Sequence, residues 1–157
     1  MSNDNIWLPH LTVAAIIEQK GRFLCVEELA HGETVINQPA GHVEKNETLV
    51  EACIRETLEE TAWRVKPSAF LGTYMYTSYS NNITYCRMSF IAEALEEVPN
   101  LTLDNGILRA QWFSAKEIRN KKAQLRSPMV LKCIEDYLSG QSYPLDIICE
   151  QETIKRT

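Results

Sequence analysis

The sequence predicts an α/β fold, a mixed β-sheet between helices. Strand-like runs outnumber helical ones, and the helical segments fall between strands rather than apart from them, which favours a sheet covered on both faces. The chain has 157 residues, of which 45% are hydrophobic and 24% charged. That composition fills one core, so residues 1–157 read as a single domain, with its core at about 9–148.

The elements follow in order. Residues 1–8 read as a frayed lead-in. Residues 10–17, HLTVAAII, are rich in β-branched side chains and predict a buried strand. Gln19, Lys20 and Gly21 make a turn into a returning strand at 22–28. A second turn at 30–33 leads to a short strand at 34–37, and Gln38-Pro39-Ala40-Gly41 then fixes and frees the backbone before a helix. Thr48 with Glu51 is a capping box that starts this helix. Lys66-Pro67-Ser68 is expected to be a loop, followed by strands at 70–79 and 84–94 joined at Asn81-Asn82. Tyr74, Tyr76, Tyr79 and Tyr85 on this pair read either as ordinary strand aromatics or as platforms for a planar ligand. A polar loop at 96–106 precedes a strand at 108–113. Ser114 with Glu117 caps a short helix, and Ser127-Pro128 opens a last one as N-cap and N1, closed by Gly140. Residues 143–148 are expected to pack back and the tail from Glu150 to fray.

A net charge of −5 argues against a nucleic-acid polymer as partner, since that would require a basic face. No apolar run has the length of a membrane span, and the first residues lack the basic-then-apolar order of a signal peptide. Cys25, Cys53, Cys86, Cys133 and Cys149 are odd in number and form no CxxC pair, as expected for reduced core thiols in a cytoplasmic protein.

Chemistry concentrates in residues 41–63, GHVEKNETLVEACIRETLEETAW. Glu56, Glu59 and Glu60 recur at i, i+3 and i+4, so on a helix they share an arc of about 100°. Such crowding is repulsive unless a cation sits among the carboxylates, and oxygen ligands suit Mg²⁺ or Mn²⁺. Val50, Ile54, Thr57, Leu58 and Thr61 are expected to form the packing face, with small Ala52 inside the acid arc beside a neighbouring loop. Arg55 is placed to bridge Glu51 and Glu59.

These residues resemble the Nudix box, the signature of the Nudix hydrolases. Gly41, Glu47, Arg55, Glu56, Glu59 and Glu60 fill its first glycine and every charged position, a chance match on the order of 1 in 10⁵. Thr57 departs from the usual aliphatic residue. Ala62 replaces the closing glycine, at a cost of about 1–2 kcal/mol if it enters the left-handed region. The resemblance implies an α/β/α sandwich and metal-assisted hydrolysis of a phosphoanhydride in a small phosphorylated substrate, by a monomer or homodimer.

By the same resemblance Glu56, Glu59, Glu60 and the Ala40 carbonyl hold Mg²⁺, Glu56 or Glu59 serves as base, Arg55 orients the acids, and Gly41 and Glu47 support the loop. The segments HLTVA, NQPAGHVE, ETLVEA and LRSP…SGQSYPL look like a bacterial subgroup that removes terminal phosphate from nucleoside tri- and diphosphates and from hydroxymethylpyrimidine and thiamine pyrophosphates. The alternatives are a family enzyme that cuts other nucleoside diphosphate derivatives internally, and a non-catalytic nucleotide sensor. Arg22 and Gln38 are candidate substrate contacts or plain surface residues. Asp104 is a candidate late-loop carboxylate for substrate or metal, or a solvated acid. Arg126 reads as a phosphate contact at a helix N-terminus or as an ion-pair partner. Glu27 and Glu28 face ligand or water. His10, His31 and His42 make no metal spacing, and His42 reads as a polar loop residue.

Overall fold

The computed structural model describes residues 6–150. Of the lead-in expected at 1–8, residues 1–5 lie outside the described residues and 6–8 form no strand or helix; of the tail expected from Glu150, 151–157 lie outside them. Among those described, seven strands form one mixed sheet in the order β3-β2-β1-β6-β5, with β4 paired to β1 and β7 to β2. The strands are β1 His10–Gln19, β2 Arg22–Ala30, β3 Glu33–Asn37, β4 Ala40–His42, β5 Trp63–Thr77, β6 Thr84–Glu97 and β7 Ile107–Ser114. The helices are α1 Leu49–Thr61, α2 Ala115–Asn120 and α3 Pro128–Leu138. Only β1 and β6 run parallel, in register from His10↔Tyr85 to Ile17↔Ala92; the other pairs are antiparallel.

Strand alternation divides the core in two. Val13, Ala15, Ile17 and Leu24 face α1 and pack with Ala52 and Cys53. Ile16, Phe23, Cys25 and Phe113 point the other way, onto Ile118 of α2 and Cys133 and Ile134 of α3. Each fully buried Ile, Leu or Phe contributes about 1.5–3 kcal/mol. The α/β/α sandwich expected from the sequence is therefore present.

Two segments differ from expectation. Lys66-Pro67-Ser68 is not a loop but part of β5, with the register shifted between Pro67 and Ala69. β5 ends the sheet, so the missing proline N–H costs no ladder bond. β4, three residues long, was not legible as a strand. It forms because β1 changes neighbours, pairing with β4 at Thr12–Ala14 and with β2 only at Glu18 and Gln19. This inserts residues 38–42 beside the middle of the sheet, where Ala15 N–H donates to the Pro39 carbonyl at 3.0 Å.

Both capping boxes are formed, Thr48 with Glu51 and Ser114 with Glu117. Ser127 occupies the N-cap of α3, yet its side chain caps nothing and its Oγ is buried without a partner. Glu150, expected to fray, accepts the Leu49 amide at 2.9 Å, at the start of α1. Residues 143–148 pack back as expected: Tyr143 and Phe70 exchange two backbone bonds of 2.8 Å, and Leu145 and Ile148 cover the first core cluster. Cys149 is exposed, unlike the core thiol it was expected to be.

Candidate active site

The packing face of α1 matches its pattern only in part: Thr57 and Thr61 are buried and Val50 packs against the core as expected. Ile54 is exposed, whereas Ala52, Cys53, Glu56, Thr57, Glu60 and Thr61 are buried. The acid arc thus overlaps the core face, and two carboxylates are turned inward. Thr57, unusual at its position, satisfies its buried hydroxyl by donating to the Cys53 carbonyl at 2.7 Å, and Thr61 does the same to Thr57 at 2.6 Å. Ala62 adopts φ 60° and ψ 12°, the left-handed geometry expected of the glycine it replaces.

Gly41 is required by close approach rather than by its φ. A Cβ there would lie 2.1–2.2 Å from the Glu56 carboxyl group. The loop backbone therefore runs over that carboxylate with no room for a side chain.

Arg55 organises the acids. Its Nε and NH2 bond both oxygens of Glu47 at 2.9 and 2.6 Å, NH2 also reaches the His42 carbonyl at 3.0 Å, and NH1 donates to Glu56 Oε1 and Glu59 Oε2 at 2.9 and 3.0 Å. The bridge to Glu51 is absent, because Glu51 is engaged by the Thr48 cap. The fork to Glu47 raises the Arg55 pKa, and the same bond holds Glu47 below the ordinary carboxylate range. Burial pushes Glu56 up despite Arg55. Burial also pushes Glu60 up to about 8, against the Ala40 N–H that bonds its Oε2 at 3.0 Å.

One oxygen each from Glu56, Glu59 and Asp104 lies within 4.8 Å of the others. Asp104 reaches α1 because its amide donates to the Glu59 carbonyl at 2.9 Å. The late-loop acid therefore joins the set, while Glu60 points to the Ala40 amide and influences the same field from one side. Three convergent carboxylates fit a hard divalent cation, with Arg55 leaving Glu56 Oε2 and Glu59 Oε1 unengaged by it.

Beside the acids, past Ala40 and Gly41, a cleft of about 380 Å³ extends under the start of α3. Tyr76, Tyr85 and Arg126 line it, whereas Tyr79 lies fully in solvent. Arg22 is not brought to the site. It begins β2, six residues from Glu28 on the cleft wall, roughly 20 Å at about 3.3 Å per residue, and pairs with Glu117 at 2.8 Å. Gln38 is buried; it donates to the Val130 carbonyl at 2.7 Å and accepts from Arg87 at 3.1 Å, so it supports the cleft instead of lining it. Sequence reasoning missed Arg87, although an arginine inside the apolar strand CRMSFIA is itself a signal. It also missed the contact between His10 Nδ1 and His42 Nε2 at 2.9 Å, made because β1 pairs with β4 and sets Thr12, two residues from His10, opposite His42.

The NUDIX domain profile matches residues 8–133. The chain belongs to the Nudix family. It is 41% identical over 140 residues to the phosphatase NudJ of Shigella boydii serotype 4 (strain Sb227), covering 89% of this chain and 90% of that protein. Identity and coverage are the same for NudJ of Escherichia coli K12. The solved structure of a Nudix hydrolase from Nitrosomonas europaea superposes with a TM-score of 0.90 at 47% identity, over 92% of this chain and 98% of that one. The chain is thus a Nudix hydrolase, acting on phosphoanhydrides of small phosphorylated substrates, in a family that generally uses divalent metals. Among the described residues no helix is long and apolar enough to cross a membrane.

Proposed function

We propose that this Nudix hydrolase is a Mg²⁺-dependent phosphatase. It removes the terminal phosphate of nucleoside tri- and diphosphates and of hydroxymethylpyrimidine or thiamine pyrophosphate, releasing orthophosphate. The observation that carries the metal dependence is the convergence of Glu56, Glu59 and Asp104 within 4.8 Å, braced by Arg55. The substrate class rests on the likeness to NudJ across nine-tenths of both chains.

Glu56, Glu59 and Asp104 would hold the cation, with Glu60 and the Ala40 backbone beside them. When bound, Mg²⁺, or Mn²⁺ in its place, neutralises phosphate charge and acidifies water. Arg55 fixes two of the carboxylates in one orientation, so little reorganisation is needed on binding. The Glu59 side chain is 39% exposed against 12% for Glu56, so water reaches Glu59 more readily. Of the two carboxylates, the more open Glu59 is the proton acceptor this exposure favours. Gly41 lets the loop close over Glu56.

The test is a substrate panel with Mg²⁺ in which orthophosphate and pyrophosphate are measured separately. Orthophosphate from nucleoside di- and triphosphates and from pyrimidine pyrophosphates is expected. Pyrophosphate as the product, or turnover confined to sugar nucleotides, would overturn the assignment. Glu59→Gln should lose activity by about 10³-fold while melting at the same temperature or higher, because repulsion falls.

A further inference from the structure

Arg87 stands on β6 opposite Thr12 of β1 and Tyr74 of β5, so strands on both sides fix its backbone. Its side chain shares a face with fully buried Ser89. One guanidinium nitrogen donates to Gln38 Oε1 at 3.1 Å and another to Asn37 Oδ1 at 3.3 Å. Both acceptors are neutral amides, and both are held from behind. Gln38 Nε2 bonds the Val130 carbonyl of α3 at 2.7 Å, and Asn37 Nδ2 bonds Glu28 at 3.2 Å.

A cation in this position is costly. Burial pulls the Arg87 pKa below the ordinary guanidinium range. Among the described residues it has no carboxylate within salt-bridge distance. Glu28 and Glu60 act on it only from beyond contact distance, so a partly buried charge whose direct acceptors are neutral stays incompletely compensated until an anion arrives. Arg87 lines the cleft that begins at Ala40 and Gly41, beside the carboxylate cluster. Two further groups line the same cleft. Arg126 has only a loose contact with Glu28, at 3.8 Å. The unpartnered Ser127 Oγ sits at the N-terminus of α3, where helix amides favour negative charge. The carboxylates alone would repel a phosphate chain; the two arginines add attraction within the cleft.

We propose that Arg87 binds a phosphate of the substrate through its planar fork, with Arg126 and the Ser127 hydroxyl as secondary contacts. This rests on the hydrolase reading above and assigns the wall of the cleft that grips the anion. Gln38 and Asn37 aim the fork, which explains why Gln38 is buried where a ligand contact or a surface residue was expected. Guanidinium suits the task because it engages two phosphate oxygens at once, which an ammonium does not.

The test uses the full chain and a methylene-bridged nucleoside diphosphate, which binds without turnover, titrated calorimetrically in Mg²⁺. Arg87→Gln is expected to raise Kd by about tenfold or more. With a cleavable diphosphate, KM should rise in parallel and kcat stay within about threefold, as for an interaction made equally in ground and transition states. Arg87→Lys should recover part of the affinity, and Arg126→Gln, a change at an exposed residue, should lose about threefold or more. Kd within about twofold of wild type in Arg87→Lys and Arg126→Gln overturns the proposal, whether or not Arg87→Gln folds. So does a folded Arg87→Gln that binds like wild type. Failure of the hydrolase reading looks different: wild type would bind the analogue yet leave the cleavable diphosphate intact.

Discussion

Replacing Gly41 by alanine isolates what close approach contributes to this site. The added Cβ would lie 2.1 Å from the Glu56 Cδ and 2.2 Å from each of its carboxylate oxygens. Comfortable non-bonded contact begins near 3.5 Å, so one partner must retreat by more than about 1 Å. The Glu56 carboxyl is the free end of a flexible side chain, whereas residue 41 is held by β4 pairing Val13↔Gly41. Glu56 therefore moves. It loses its 2.9 Å bond to Arg55 NH1 and leaves the cluster with Glu59 and Asp104. Overpacking of this kind costs about 1–3 kcal/mol, and the adaptable partner puts the expected loss near about 1 kcal/mol. In a domain of this size that lowers Tm by roughly 2–4 °C. A misplacement of about 1 Å in a reacting constellation costs about 10²-fold in rate. Thermal melts and phosphate release with Mg²⁺ would thus show a nearly intact fold and a hundredfold loss of kcat. Activity within about threefold of wild type would refute the argument, because Glu56 could then leave its place without consequence.

Other perturbations separate the remaining terms. Arg55→Lys removes the fork to Glu47 and the His42 carbonyl contact; kcat should fall by about 10²-fold and stability by about 2 kcal/mol, discounted for partial exposure, and unchanged kinetics would contradict the bracing role. Backbone N–H bonds from Thr48 and Ser114 hold Glu51 and Glu117 below their ordinary value of 4.5. The folded state therefore binds these protons less readily than the unfolded state, so the stability they add is full above 4.5 and lost as pH falls through the lower folded values. A Glu51→Gln/Glu117→Gln variant should lose less stability than wild type between about pH 6 and pH 3, and parallel acid slopes would refute this. Ala62→Gly relieves left-handed strain of roughly 1–2 kcal/mol but gives up a buried methyl worth about 0.8 kcal/mol and about 0.4–1 kcal/mol of unfolded-chain entropy. The net change should stay within about 1 kcal/mol, a Tm shift under about 4 °C by differential scanning calorimetry, and a larger loss would show that packing of the methyl dominates.

Local rules explain what could be read in the chain. The Thr48 and Ser114 boxes need only residues three apart, and both are present as read. The Gly41–Ala62 stretch carries Glu56, Glu59 and Arg55 within one helix and its approach loop, so their spacing was legible before any tertiary contact, although Asp104 and not Glu60 completes the carboxylate cluster. Asp104 was legible only as an acid in a late loop; what brings it in is a single amide-to-carbonyl bond to Glu59 across 45 residues. Which of their alternatives Arg22 and Gln38 would take was illegible for the same reason: Arg22 is the surface residue, and Gln38 is neither ligand contact nor surface. Which end of β2 lies near α1, and which way a residue before β4 points, depend on how β1 exchanges partners, and no local pattern encodes that exchange. Arg87 belongs to the same class, since its value as a site residue comes from Asn37 and Gln38, some fifty positions earlier.

The reading of α1 erred at Ile54, Glu56 and Glu60 for a different reason. Amphipathic logic assigns charge to solvent and apolar residues to the core, and by that logic Ile54 should be buried and Glu56 and Glu60 exposed. The structure has the reverse at all three positions. On the proposed function, the inversion follows from where the substrate goes. The cleft runs past Ala40 and Gly41 to the start of α3, so on that reading carboxylates beneath the loop point inward. Burial then raises the pKa of Glu56 and Glu60, a cost that no folding requirement explains. Arg55, the Ala40 amide and the bare backbone at Gly41 offset that cost within a few ångströms. A helix built only for stability would exchange Ile54 with Glu56 and need none of these supports, so the conflict between pattern and burial is itself evidence that this face was selected for chemistry.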